Sequence, residues 1–196
     1  MIAKHQKISS KFDNCIILHG CPPNEQSVTP KEHRWMNWLV GKLKEKGINA
    51  IAPEMPSSWS PKYTEWKTSF EKYRVTKNSL LIGHSCGAAF LVRWLLEKDI
   101  IVKKLILAAA AKIPENETDT RKDLYNFELS NNVPNIAIEI VLFTSNDFPH
   151  HLKSLEIYKQ FLKPRVITLE NKFHFLYFQT KTNEFPELLD EIIKSN

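Results

Sequence analysis

The chain has 196 residues, 42% hydrophobic and 25% charged, which suits a single domain spanning 1–196 and gives no compositional case for disorder. Its net charge of +5 comes from 27 basic and 22 acidic residues, but the lysines are scattered and often sit beside glutamate (Lys44-Glu45-Lys46, Glu71-Lys72). With no run of like charge and no zinc-finger or RNA-binding motif, a solvated basic surface is expected and nucleic acid is not an expected partner.

The three cysteines, Cys15, Cys21 and Cys86, are odd in number and form no CxxC pair or metal-ligand spacing, so neither a disulfide framework nor a bound metal is expected. Met1 to Asn14 is polar and lacks the apolar core of a signal peptide. No apolar run approaches the roughly 20 residues that cross a membrane, so a cytoplasmic location away from membranes is expected.

In chain order, the first short apolar run is Cys15-Ile16-Ile17-Leu18. Trp35 to Lys46 follows as a helix, with Trp35, Trp38, Leu39 and Leu43 at helical spacing and Gly47 as its stop. Asn49 to Ala52 reads as a second strand, then a Pro-rich loop (Pro53, Pro56, Pro61) leads to a helix over Thr64–Tyr73. Ser79 to Ile82 is a strand, and Gly87 to Lys98 a helix that is apolar on nearly every side. Leu105 to Ala108 is a strand, and Lys112 to Asn135 is irregular, with a short helix near Lys122–Leu129. That stretch reads either as a small cap over a pocket or as a surface connection. Glu139 to Thr144 and Val166 to Leu169 are strands, with helices at His151–Phe161 and Glu184–Lys194. Continuous rather than alternating apolarity implies strands buried on both faces, so the reading is α/β: a mainly parallel sheet covered by helices on both sides.

Gly83-His84-Ser85-Cys86-Gly87 is a G-x-S-x-G pentapeptide. Alone the pattern is weak; here an apolar strand runs into it and an apolar helix leaves it. That strand–turn–helix setting is what a nucleophile elbow requires, and it defines the α/β-hydrolase fold as the expected architecture. The turn is too tight for side chains at its flanks, hence the glycines. A serine hydroxyl is a poor nucleophile at neutral pH and needs a base, itself oriented by an acid. In this fold the chain order is serine, acid, histidine. Asp147 follows the strand ending at Thr144, and His174 follows the strand ending at Leu169, both at the sheet edge where α/β proteins build sites. The 27 residues between them fit one helix and one strand.

Among competitors, His150 and His151 follow Asp147 too closely to reach the next strand's loop and read as the start of a helix. His84 is the variable residue of the elbow and is expected to point away from the hydroxyl. Glu170 is the competing acid, on the same loop as His174. The oxyanion hole needs two backbone donors. One is the Cys86 amide. The other belongs to His19-Gly20-Cys21-Pro22-Pro23; the prolines have no N–H, leaving Cys21 first and Gly20 next. Two thiols, Cys21 and Cys86, thus flank the nucleophile. The plain reading is two reduced small residues; the alternative is an oxidisable pair if their Cα atoms lie within roughly 4.4–6.8 Å.

Together these residues resemble a family of very small α/β-hydrolases, that of the retinoblastoma-binding serine hydrolase and its bacterial YdeN-like relatives. The resemblance runs over nearly the whole chain. It takes in Ile17-Leu18-His19-Gly20, Trp35-Met36-Asn37-Trp38-Leu39, Pro53-Glu54-Met55-Pro56 with Trp66, and Ile82-Gly83-His84-Ser85. It continues through Leu107-Ala108-Ala109-Ala110, Ser145-Asn146-Asp147, Phe173-His174-Phe175 and Phe185-Pro186-Glu187-Leu188. It implies a compact hydrolase with little or no cap and a triad of Ser85, Asp147 and His174. One departure stands out: the family usually has Gly-His-Phe around the catalytic histidine, where this chain has Phe173.

The expected chemistry is hydrolysis of small acyl esters or amides through an acyl-enzyme on Ser85, without cofactor or metal. Trp35, Trp59 and Trp66 are candidates to line the acyl pocket, each with a core position as its alternative. The competing class is a protein-binding module that keeps the hydrolase scaffold with little or no catalysis.

Overall fold

The computed structural model describes residues 12–131 and 133–194; most of the N-terminal stretch read as lacking a leader lies outside them. Six strands form one all-parallel sheet: β1 (Cys15–Leu18), β2 (Ala50–Ile51), β3 (Leu80–His84), β4 (Val102–Ala108), β5 (Ala137–Thr144) and β6 (Arg165–Thr168), in the order β2-β1-β3-β4-β5-β6. Among the described residues seven α-helices accompany them: α1 (Trp35–Glu45), α2 (Tyr63–Phe70), α3 (Cys86–Lys98), α4 (Lys122–Tyr125), α5 (Pro149–Leu162), α6 (Tyr177–Thr180) and α7 (Pro186–Lys194).

Each central strand sends alternate residues to opposite faces, and both faces are apolar. Cys15, Ile17, Leu80, Ile82, Ile106, Val141 and Phe143 point to one face, covered by Leu39 and Leu43 of α1 and Leu188 and Ile192 of α7. Ile16, Leu18, Leu81, Leu105, Leu107 and Leu142 point to the other, covered by Trp66 and Phe70 of α2, Phe90 of α3 and Tyr158 of α5. The edge strand β6 is partly exposed along its length, which is why its apolarity is broken by Arg165 and Thr168.

The observed elements differ from the sequence reading mainly at their ends. β2 shortens to two residues, β5 begins two residues earlier at Ala137, and α2 stops at Phe70. Helix α6 has no counterpart in the sequence reading. The irregular stretch after β4 is tied down at α4, whose Leu124 and Tyr125 join the core. Because every strand is parallel, the carboxyl ends of β1, β3, β5 and β6 open on one edge of the sheet. The loops leaving that edge carry the polar residues considered next.

Candidate active site

Ser85 lies between β3 and α3 with φ 51° and ψ −115°, a backbone region that residues other than glycine avoid. Holding a residue there costs on the order of 1–3 kcal/mol and persists only where the surroundings dictate it. They do so here. The Ser85 N–H donates to the Ala108 carbonyl (2.9 Å), and the Ser85 carbonyl accepts from Ala88 (3.1 Å) and Ala111 (3.2 Å). A Cβ at Gly83 would fall 2.5 Å from Ala88 Cα, and one at Gly87 2.6 Å from the His19 carbonyl oxygen. The two glycines let helix, strand and β1 exit close around the serine.

Asp147 and His174, on the loops after β5 and β6, meet with Asp147 Oδ2 2.7 Å from His174 Nδ1. Both side chains are buried. Burial pushes the His174 imidazole below the ordinary histidine range, with His150 and Arg121 adding to it. Burial raises Asp147. The neutral imidazole with Nδ1–H donating to the carboxylate leaves Nε2 as a free base. The Ser85 hydroxyl rests 4.0 Å from Cys86 Sγ, and among the described residues it makes no hydrogen bond to His174. Such contacts often tighten only with substrate bound.

The loop bearing His174 is strained. Asn171 (φ 56°), Phe173 (φ 49°) and Phe175 (φ 57°) all adopt left-handed backbone, which asparagine tolerates and which costs the two phenylalanines about 1–2 kcal/mol each. The Phe173 position is the one where the resemblance leads one to expect glycine. Four hydrogen bonds hold the loop regardless. Lys172 N–H donates to Ser145 Oγ (3.0 Å) and Phe173 N–H to Asn146 Oδ1 (3.4 Å). His174 N–H donates to Gln179 Oε1 (3.0 Å), and His84 Nε2–H donates to the His174 carbonyl (2.8 Å). The Ser145-Asn146-Asp147 triplet therefore grips both the backbone and the ring of the histidine loop. His84 turns from the serine to the histidine loop; burial lowers its pKa to about 3, which keeps it neutral.

Sequence reasoning missed the roles of Ser145, Asn146, Gln179 and His84, and also that of His151. The His151 ring stacks on His174 (centroids 4.1 Å, planes 21° apart) and is held neutral by burial, its pKa lowered to about 2. The polar pair Ser145-Asn146 directly ahead of the acid Asp147 was the one available signal. Asp147, His151 and His174 bring three metal-type donor atoms within 4.8 Å of one another. However, the first and third share a hydrogen bond and the two imidazoles lie nearly parallel, so their in-plane lone pairs do not converge on one point. The arrangement suits proton transfer better than metal binding.

A cavity of about 440 Å³ opens over Ser85 and His174. Cys21 and Trp35 are in its wall, as are Glu115 and Arg121 from the irregular stretch after β4, which serves here as a wall of the pocket. The Arg121 guanidinium is paired with Asp119 (2.6 Å) and Glu115 (3.0 Å). Phe148 and Phe178, both exposed, line the mouth. Trp66 does not reach the cavity: it is fully buried in the core, its Nε1–H on the Pro56 carbonyl (2.8 Å). Trp59 lies outside the lining as well, its carbonyl accepting from Thr120 (2.7 Å). Exposed Glu170 is not part of the site, whereas Asp147 is in contact with the histidine.

A Cβ on Gly20 would lie 3.0 Å from Ser85 Cβ, so the loop after β1 passes directly against the elbow. His19 anchors that loop: its Nδ1–H donates to the Gly20 carbonyl (2.7 Å) and its Nε2 accepts from the Met55 amide (2.9 Å). Cys86 is the first residue of α3, where the helix leaves its amide without an intrahelical acceptor.

A parallel sheet in this order, with a strained serine on the turn from its third strand into a buried helix, is the α/β-hydrolase architecture. Within it the chain belongs to the serine hydrolase family, whose sequence signature matches residues 16–190. It is 27% identical to YdeN of Bacillus subtilis (strain 168) over 81 residues, a stretch covering 40% of each protein. The crystal structure of the B. subtilis ydeN product superposes with a TM-score of 0.79 at 18% identity, over 92% of this chain and 97% of that one. A YdeN-like protein of Pectobacterium atrosepticum gives 0.66 at 15% identity, over 92% of this chain and 89% of the other. Est1E of Butyrivibrio proteoclasticus, in a structure with ferulic acid bound, gives 0.63 at 14% identity, covering 96% and 90%. At these identities the structural likeness speaks for the fold. No helix among the described residues is long and apolar enough to cross a membrane.

Proposed function

We propose that the protein hydrolyses small acyl esters or amides through an acyl-enzyme on Ser85. The observation that carries this reading is the 2.7 Å contact between Asp147 and His174, two residues 27 apart on different loops, at the cavity that exposes a serine in elbow geometry. His174 Nε2 takes the Ser85 proton as the hydroxyl swings from Cys86 Sγ and attacks the acyl carbonyl. Asp147 keeps Nδ1–H in place and stabilises the imidazolium. The Cys86 amide and the Cys21 amide, once the latter turns from the Cys86 sulfur, hold the oxyanion, each worth on the order of 2.7–4 kcal/mol of transition-state stabilisation. The imidazolium then gives its proton to the leaving group, and a water deprotonated by His174 releases the acid. The apolar rim of Phe148 and Phe178 favours an uncharged, apolar substituent on the substrate.

The test is labelling by a fluorophosphonate probe together with turnover of p-nitrophenyl acetate and butyrate, on wild type and Ser85→Ala. Labelling and turnover in the wild type alone support the reading. A folded wild type that neither labels nor turns over overturns it and leaves the hydrolase-fold binding module.

A further inference from the structure

Both proposed oxyanion donors are cysteines, and the mechanism uses only their amides. Gly20 passes close against Ser85, and the residues that follow them, Cys21 and Cys86, belong to one core cluster. There the Cys21 thiol and the Cys21 N–H both face the Cys86 sulfur. The Tyr125 hydroxyl meets the same sulfur at 3.2 Å. Burial pushes the Cys86 thiol up, but the Cys21 thiol, the Tyr125 hydroxyl and nearby Arg121 overcome it and bring it to about 7. Burial pushes Cys21 well above the usual thiol range, so this thiol keeps its proton and is the donor of the pair. Cys21 borders the cavity, Cys86 beside it is fully buried, and Cys15 is fully buried on the opposite face of the sheet. Three groups thus converge on one otherwise unused sulfur 4.0 Å from the nucleophile.

We propose that Cys21 and Cys86 are an oxidisable dithiol, which hydroperoxides close to a disulfide, and that the disulfide disables the oxyanion hole. The Cys86 thiolate attacks a peroxide oxygen, the O–O bond breaks, and the departing oxygen is protonated to water, or to alcohol for an organic peroxide. This leaves a sulfenic acid on Cys86. The Cys21 sulfur then attacks the Cys86 sulfur, the S–O bond breaks, and hydroxide leaves with the Cys21 proton as water. Two thiols are oxidised and one peroxide is reduced. A bond of about 2.0 Å draws the β1 loop onto the elbow and turns the Cys21 and Cys86 amides from the position the oxyanion would occupy. The chemistry stands apart from the proposed hydrolase reading; the effect on activity rests on it.

The experiment treats the reduced full-length protein with hydrogen peroxide. It follows intact mass, free thiols after denaturation, digestion mapping and the fluorophosphonate labelling rate. The expected product has lost two hydrogens, keeps one free thiol at Cys15, links the Cys21 and Cys86 peptides, and is restored by dithiothreitol. Its labelling should fall by about a hundred-fold or more, the effect of losing an oxyanion donor, and return on reduction. Cys15→Ser should behave as wild type, and Cys21→Ser should gain oxygen at Cys86 without losing two hydrogens. Three thiols surviving peroxide that fully oxidises free glutathione would overturn the proposal, as would a disulfide through Cys15. A Cys21–Cys86 disulfide with unchanged labelling refutes the inhibitory half. If the reduced protein does not label at all, the hydrolase reading fails, while the mass and mapping results still decide whether the dithiol exists.

Discussion

Replacing Asp147 with asparagine separates a true catalytic acid from a buried neighbour, because the surroundings dictate how the new amide sits. Asp147 Oδ1 accepts the Phe148 N–H (2.7 Å), while Oδ2 meets His174 Nδ1 (2.7 Å). In Asp147→Asn the oxygen is retained by Phe148, since turning the NH₂ there would leave two donors facing each other at about 1–3 kcal/mol. The NH₂ must then face Nδ1 and donate to it. The ring proton moves to Nε2, and the base can no longer accept the Ser85 proton. A wrong-tautomer substitution of this kind in a serine protease lowers kcat about 10⁴-fold, equivalent to roughly 5.4 kcal/mol. Stopped-flow acylation by p-nitrophenyl acetate measures it, with circular dichroism to show that the fold is kept. Glu170→Gln, on the exposed competing acid, is expected to stay within about two-fold of wild type, in line with ordinary surface substitutions. A folded Asp147→Asn within ten-fold of wild type would refute the tautomer argument, and a large loss in Glu170→Gln would name the other acid.

Gly83→Ala puts a methyl 2.5 Å from the Ala88 backbone, where neither partner can rotate away. A loss of about 1–3 kcal/mol or more in urea unfolding is expected, and unchanged stability would show that the elbow is looser than described. Gln179→Leu strips the acceptor from the His174 N–H. Stability should fall by about 1–3 kcal/mol, with kcat reduced more than KM is raised; a pure KM effect would place Gln179 in substrate binding instead. Acid should also destabilise the fold. His84, His151 and His174 are all buried with pKa values lowered by that burial, so between pH 7.5 and 5.5 the unfolded chain binds the protons and stability falls as pH drops. Each contributes about 1.4 kcal/mol over that interval, roughly 4 kcal/mol for the three; urea midpoints that do not move across it would contradict the burial argument.

The parts legible from sequence were those ruled by short-range patterns. Apolar runs such as Cys15–Leu18 mark strands because both faces of a parallel sheet must be dry, and here they are. Once Ser79–Gly87 is read as strand and elbow, parallel topology sends the acid and histidine to the same sheet edge. That is why Asp147 and His174 could be proposed from order alone. Length and composition could not separate Trp35 from Trp66. Both are apolar and helical, and only the three-dimensional packing puts one in the cavity wall and the other in the core.

What stayed hidden is the support around the histidine, because it arises between segments far apart in sequence. His84 lies 90 residues from the carbonyl it binds, and Lys172 lies 27 from Ser145. The positive φ at Phe173 shows what that support does. Glycine there would relax the loop locally, and a phenylalanine must be held by its neighbours instead. The His84, Ser145, Asn146 and Gln179 contacts supply that hold, and His174 still meets Asp147 at 2.7 Å. The departure from glycine therefore bears on the strain of the loop, and the position of the imidazole is set by polar groups that no local pattern in the sequence connects.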